Sequence, residues 1–285
     1  MAEDFKRPLG IFLQGGGSLG AWQAGALQVL DAAGLKFDSA MGYSIGAVNG
    51  AALALGKLTQ ALSQWRALDA WAMRPRLRLR PLSFFSTAPL RAFLGADQGD
   101  ASARDALLCD YTIVSACPAE DAPINARFSP RGRTCWDGPL FEHAVASCSI
   151  PWVFPPVDLD YRARRLRLID GGVPMARPLD FSPLAECSTV LVLEMVRSDE
   201  IGRRAWTPWR LLDQAGREAG RRLIDEGLKP LLGGKHPPRV LRLPPSRRLE
   251  PVILDFRRAG LQEMFDLGER DARDLLARPE DFRVR

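Results

Sequence analysis

Short apolar runs alternate with glycine-rich breaks along the first stretch of the chain. Leu9–Leu13 is an apolar run stopped by Gln14 and three glycines, which predicts a buried strand. From Ala21 to Ala33, Trp22, Ala26, Leu27 and Leu30 recur at helical spacing and Gly34 closes the pattern, which predicts a helix with a glycine stop. Phe37–Gly42 predicts a second short strand. Ile45–Leu55 is small and apolar all round, the pattern of a helix packed on a sheet with no wet face. Strand, glycine loop, helix, strand, turn, helix is the opening of a layered α/β fold.

The middle of the chain is less regular. Leu62–Trp71 and Gly138–Ser147 have helical patterns, and Thr112–Ala116 and Ile124–Phe128 have strand patterns. Arg162–Ile169 alternates Arg with apolar residues, as a strand with one wet face does, and runs into Asp170-Gly171-Gly172. Thr189–Val196 predicts another buried strand. Beyond about residue 200 the character shifts: Trp206–Leu232 is a polar, Arg-rich helical stretch, Val240–Leu243 a strand between prolines, and Leu261–Leu276 an amphipathic helix.

Composition narrows the class. With 46% hydrophobic and 26% charged residues, the chain can bury a full core. The net charge of +5 suits an anionic membrane surface or a nucleic acid but specifies neither, and a solvated Arg-rich surface explains it equally. Cys109, Cys117, Cys135, Cys148 and Cys187 are odd in number and form no CxxC pair, which argues against a disulfide framework and a zinc site and for reduced thiols in the cytoplasm. The start MAEDFKRPLG does not read as a signal peptide, and no stretch nears the ~20 apolar residues of a membrane span, so lipid contact is expected to be peripheral.

Three motifs carry chemistry. Gly42-Tyr43-Ser44-Ile45-Gly46 is a GxSxG between a predicted strand and a predicted helix. A nucleophilic serine needs such a turn to push its hydroxyl out of the sheet, and the Ile45 N–H at the helix start then faces the reacting centre. Gly15-Gly16-Gly17-Ser18-Leu19-Gly20 can aim several backbone N–H groups at one anion or oxyanion. The same six residues satisfy GxGxxG for a dinucleotide, with Asp38 near the place of a ribose-binding acid, so this motif alone does not choose between them. Asp170-Gly171-Gly172 puts a carboxylate at a strand end, where it could accept a proton from a serine hydroxyl. An ordinary DG turn is the competing reading.

Taken in order, GGGSLGAWQAGAL, GYSIGAVNGA, the stretch from Ala146 to Pro156 and DGGV resemble the boxes of the patatin-like phospholipase family. The resemblance covers residues 8–183, and Phe265-Asp266-Leu267-Gly268 with Asp271-Ala272 also looks like the C-terminal helix of bacterial members. Two positions depart from the family's pattern. Leu19 stands where many members carry Arg or Lys, and Val173-Pro174-Met175 stands where an Asn usually precedes a Pro.

The resemblance implies an α/β fold with a mostly parallel central sheet sandwiched by helices. Residues 8–183 would form the catalytic core, and 184–285 would complete the same domain with a strand and helices. It implies a Ser–Asp dyad, Ser44 and Asp170, with no histidine. Gly15, Gly16 and Gly17 would form the oxyanion hole, joined by the Ile45 N–H. The expected substrate is a lipid or other acyl ester, with no metal, no cofactor and no nucleic-acid partner. Oligomeric state is not specified. A catalytically idle lipid-binding protein and a Rossmann-type oxidoreductase are the other readings.

Two further points stay open on the residues alone. Ser44, Asp170 and His236 follow the order of an α/β-hydrolase triad, although few residues precede Ser44 and His236 sits in Gly-Lys-His-Pro-Pro; His143 lies in a helical stretch. Arg74–Phe85 and Trp206–Arg210 mix Arg with Phe, Leu or Trp, which suits a lipid headgroup region. Core aromatics with surface arginines are the alternative.

Overall fold

The computed structural model describes residues 4–69, 75–79, 82–96, 99–130, 135–200, 207–250 and 252–284. In chain order its elements begin β1 (Leu9–Leu13), α1 (Gly20–Ala32), β2 (Ser39–Tyr43), α2 (Ile45–Ala54) and α3 (Leu58–Ala67). A hairpin follows, β3 (Pro75–Leu79) and β4 (Leu82–Phe85), then α4 (Ala88–Leu94), α5 (Gly99–Ala106), β5 (Asp110–Cys117) and β6 (Ala122–Phe128). The remainder is α6 (Leu140–Ser147), β7 (Val157–Tyr161), β8 (Arg164–Asp170), β9 (Thr189–Leu193), α7 (Pro208–Leu232), β10 (Arg239–Leu243) and α8 (Arg258–Ala277).

The sheet runs β10-β9-β1-β2-β5, all parallel, then β8 and β7, with β6 also on β5. β6 and β8 are antiparallel to β5, and β7 is antiparallel to β8. Every residue of β1, β2 and β9 is buried, so these strands are covered on both faces, which is why they read as unbroken apolar runs. Successive side chains point to opposite faces and divide between two cores. Ile11, Leu13, Ala40, Leu191 and Leu193 pack with α1, α2 and α8, whereas Phe12, Met41, Tyr43, Val190 and Val192 pack with Leu223, Ile224 and Leu228 of α7. The expected mostly parallel sheet sandwiched by helices is the observed architecture.

Several boundaries differ from the sequence reading. The helix expected at Leu62–Trp71 is α3, one turn earlier, because the buried stripe of Leu58, Ala61, Leu62 and Trp65 begins before Leu62 and Leu68 is already extended. Ala70 and Trp71 lie outside the described residues. β7, α4 and α5 had no clear pattern. β7 exposes its two aspartates, and α4 and α5 each bury a single residue, Leu94 and Ala103, so each leaves only a faint apolar trace.

α8 is fastened to α1 by backbone contact. A Cβ on Gly268 would fall 1.8 Å from the Trp22 carbonyl oxygen, and one on Gly25 would fall 2.0 Å from that of Phe265. At this crossing the Trp22 indole N–H donates to Asp271 Oδ2 at 2.7 Å, and the same oxygen accepts from the Ser246 N–H at 3.0 Å. Among the described residues no helix is long and apolar enough to cross a membrane.

Candidate active site

The site arises where two strands run into each other. β6 occupies one edge of β5 from Tyr111 to Cys117, so β2 and β8 share the other edge. β2 arrives parallel and stops at Tyr43 opposite Val114; β8 arrives antiparallel and stops at Asp170 opposite Ser115. The two C-terminal ends therefore meet head-on, and both chains must leave the sheet at once. Ser44 does so at φ 53°, ψ −132°, a conformation that costs a non-glycine residue of order 1–3 kcal/mol and that the surroundings must impose. Asp170 is followed by Gly171, whose Cα lies so close to β5 that a Cβ would sit 2.3 Å from the Val114 carbonyl oxygen. On the other side, a Cβ on Gly46 would fall 2.1 Å from the Leu13 carbonyl oxygen.

The end of α6 ties the two turns together. The Ser44 N–H donates to Ser147 Oγ at 2.8 Å, and that hydroxyl donates to the Val114 carbonyl at 2.5 Å. The Asp170 N–H donates to the Ser149 carbonyl at 3.0 Å, and the Gly171 N–H to the Ser147 carbonyl at 3.3 Å. The sequence reading marked the stretch around Ser147 but gave that residue no part. Its partner Ser44 is remote along the chain, so no local pattern announces it.

Both central side chains are buried, Ser44 at 6% and Asp170 at 5% exposure. Burial raises the Asp170 carboxyl to about 6, against the opposing pull of the Ser44 hydroxyl and the Gly172 N–H. The Gly172 N–H donates to Oδ1 at 2.7 Å, while the buried Oδ2 has no full hydrogen bond among the described residues. The Ser44 hydroxyl lies near enough to the carboxylate to act on it, without a full hydrogen bond to Oδ2. Ser44 also lies against the Cys148 thiol, which burial holds well above the ordinary thiol range.

The glycine loop borders the same point. Gly15 is pressed against Ser44 and the Tyr43 ring, where a Cβ would fall 2.6 Å from Ser44 Cβ. Its N–H lies near enough to the Tyr43 hydroxyl to favour that group's ionisation, although burial dominates and raises it. Gly17, at φ 57°, adopts a left-handed turn open to glycine at no steric cost. The Ser18 N–H is spent on the Ile253 carbonyl at 2.8 Å, and the Ser18 hydroxyl on Val252 at 3.0 Å. The Gly16 and Gly17 N–H groups have no acceptor among the described residues, and neither does the Ile45 N–H at the start of α2.

A cavity of about 110 Å³ opens beside these groups, walled by Gly17, Ser44 and Ile45 and otherwise by Val48, Trp65, Leu90, Phe93, Phe154 and Phe256. Its lining is almost wholly apolar, with Ser44, Ser86 and Cys148 the polar exceptions. Leu254 and Phe256 close it from the segment that also holds Ser18. Nothing in the local pattern marks these residues as site residues.

Other candidates are placed elsewhere. Asp38 precedes β2, whereas the glycine loop follows the parallel β1, so they lie at opposite ends of the strands. Asp38 binds the Arg7 guanidinium and accepts from the Leu9 N–H at 2.7 Å. The dinucleotide reading fails on that geometry, because its acid must follow the second strand. His236 is exposed and precedes β10, at the opposite end of the parallel strands from Ser44, so the histidine triad is also corrected. His143 is buried between the rings of Phe128 and Tyr161, and burial lowers its basicity. Among the described residues no cluster of His, Cys, Asp and Glu could hold a metal ion.

Known proteins resemble this chain over part of their length. Neuropathy target esterase sws of Drosophila melanogaster is 25% identical over 198 residues, covering 67% of this chain and 13% of the relative. That of Drosophila willistoni is 28% identical over 170 residues, 58% of this chain and 11% of the relative. The chain thus spans only about an eighth of these relatives' length. Among solved structures, VipD from Legionella pneumophila superposes with a TM-score of 0.47 and 13% identity, over 94% of this chain and 66% of its own. The sequence profile of the patatin-like phospholipase family matches residues 11–181, which takes in the glycine loop, the Ser44 turn and Asp170. On that match over more than half its length, the chain belongs to the patatin-like phospholipase family.

Proposed function

We propose that this protein is a serine acyl hydrolase that cleaves lipid acyl esters. The carrying observation is the convergence of the β2 and β8 ends, which sets the buried Asp170 carboxyl beside the buried Ser44 hydroxyl, while Ser44 lines an apolar cavity. Ser44 Oγ attacks the ester carbonyl as its proton passes to Asp170. The carbonyl oxygen becomes an oxyanion, held by backbone N–H groups of the Gly15-Gly16-Gly17 loop and of Ile45. The amides of Gly16, Gly17 and Ile45 have no acceptor among the described residues, which supports this role. Collapse of the intermediate returns the proton to the leaving alcohol. Water then attacks the acyl-Ser44 ester, with Asp170 again taking and returning the proton, and the fatty acid departs.

A carboxylate of ordinary pKa is a feeble base, and burial of Asp170 makes it a stronger one. The apolar walls accept an acyl chain and keep bulk water from the intermediate. Residues 184–285 belong to the same catalytic unit in this reading, since β9 and β10 extend the sheet and Ile253 braces the glycine loop. All five cysteines are free, in keeping with a reducing compartment.

Fluorophosphonate labelling and ester hydrolysis test the proposal. Wild type is expected to be labelled at Ser44 and to release fatty acid from lysophospholipid or phospholipid, and Ser44→Ala to do neither. Full hydrolysis by Ser44→Ala would overturn it, and a wild type that neither labels nor hydrolyses would return the protein to the idle lipid-binding reading.

A further inference from the structure

Most of the large apolar side chains exposed by the described residues gather at one place. Leu77, Leu79, Leu82 and Phe84 of the β3–β4 hairpin are exposed, Leu79 at 78%, together with Trp152 at 68%. Leu79 and Leu82 are cross-strand partners, and Phe84, two residues on, shares their face. Trp152 adopts φ 64°, a left-handed backbone that a bulky residue rarely holds, and its side chain nevertheless stands in solvent. The core-aromatic alternative for this stretch therefore does not hold at Phe84. Arg74, Arg80, Pro81 and Trp206 lie outside the described residues.

The patch is joined to the cavity. The Phe84 N–H donates to the Trp152 carbonyl at 2.9 Å and the Phe85 N–H to the Val153 carbonyl at 3.0 Å. The Phe85 ring then meets Phe154 at 6.4 Å between centroids, and Phe154 and Ser86 wall the cavity beside Ser44. Charge adds a second indication. Arg76 and Arg78 stand exposed on β3 itself, and the described residues of the hairpin include no acid. An apolar face with exposed arginines on the same strand, and a Trp at its margin, has the chemistry of an element seated at the headgroup level of an anionic bilayer.

We propose that the outer face of the β3–β4 hairpin, with Trp152, docks on an anionic lipid surface and sets the cavity mouth against it. This rests on the acyl-hydrolase reading for its purpose, since a bilayer-borne ester could then pass to Ser44 without crossing water. The binding itself can be measured without catalysis.

The experiment is co-sedimentation with phosphatidylcholine vesicles, with and without phosphatidylserine, run beside hydrolysis of a soluble short-chain ester. The wild type and Ser44→Ala are expected to bind vesicles equally, more tightly with phosphatidylserine, and less tightly in high salt. The double variant Leu79→Ser, Phe84→Ser is expected to lose about tenfold in partition for each side chain removed, with soluble-ester hydrolysis unchanged. Arg76→Ser with Arg78→Ser is expected to lose the phosphatidylserine preference. Undiminished vesicle binding by the double serine variant, or no binding by the wild type, overturns the docking proposal. If instead that variant dissociates a dimer in sedimentation while vesicle binding persists, the face is a contact between copies of this chain. Loss of soluble-ester hydrolysis in the wild type counts against the catalytic reading alone.

Discussion

The backbone N–H of Ser44 and the side chain of Ser147 are hydrogen-bonded at 2.8 Å, and through Ser147 the Ser44 turn is anchored to the Val114 carbonyl on β5. A residue at φ 53° stays there only if neighbours hold it. Ser147→Ala removes the acceptor and leaves a buried N–H unpaired, at about 1–3 kcal/mol in stability. The variant is expected to unfold at lower temperature and to lose about 100-fold in kcat as the hydroxyl drifts, with KM little changed. Ser147→Thr keeps the hydroxyl and is expected to recover much of kcat. Steady-state kinetics and thermal melts on the pair check this, and an Ala variant with wild-type kcat would refute it.

In the proposed mechanism Asp170 must be ionised to take a proton, so hydrolysis is expected to fall about tenfold per pH unit below about 6. A kcat/KM profile measures that limb directly.

The same burial has a thermodynamic cost. Asp170 titrates near 6 when folded against 3.8 for the free group, so between these values the folded state binds more protons than the unfolded. Stability is therefore lost as pH rises through that window, by about 3 kcal/mol in all. Asp170→Asn is expected to cut kcat by about 1,000-fold and yet to raise the melting temperature at pH 7, with the gain vanishing below pH 4. Melting curves at the two pH values decide it; equal shifts at both would show that the carboxylate carries no such penalty.

Gly171→Ala places a methyl group where the Val114 carbonyl and Tyr43 already stand. The loop carrying Asp170 must shift, at about 3 kcal/mol, and hydrolysis is expected to be lost with it. Chemical denaturation and ester assay on one sample check both.

Asp271 takes two donors at the α1–α8 crossing, far along the chain from either chemical group. Asp271→Ala is expected to lower stability by about 3 kcal/mol by stranding the Trp22 and Ser246 N–H groups. Below its melting transition the variant should retain kcat and KM, which separates packing from chemistry.

Leu90→Trp is expected to fill part of the 110 Å³ cavity and to lower kcat/KM for long acyl chains at least tenfold relative to short ones. A chain-length series reads this as a change in preference.

Much of this protein was legible from its residue order. Leu9–Leu13 and Thr189–Leu193 read as buried strands because a strand covered on both faces must be apolar at every position. Gly34, Gly46 and Gly171 marked tight places because a turn or a close backbone approach leaves its trace at a single residue. The chemistry available to Ser44 and Asp170, and the amide-rich turn near them, is likewise carried by a few consecutive residues. What the tertiary structure alone decided is everything that depends on two remote segments at once. The antiparallel arrival of β8 on β5 puts Asp170 against the end of β2, Ser147 reaches Ser44 from α6, and Asp38 goes to the opposite end of β2. Burial, and hence the raised Asp170 carboxyl, is set by all the elements packed around it. Local pattern records which backbone a residue can adopt; it does not record which distant surface will cover it, and here that covering turns a serine and an aspartate into neighbours in an apolar site.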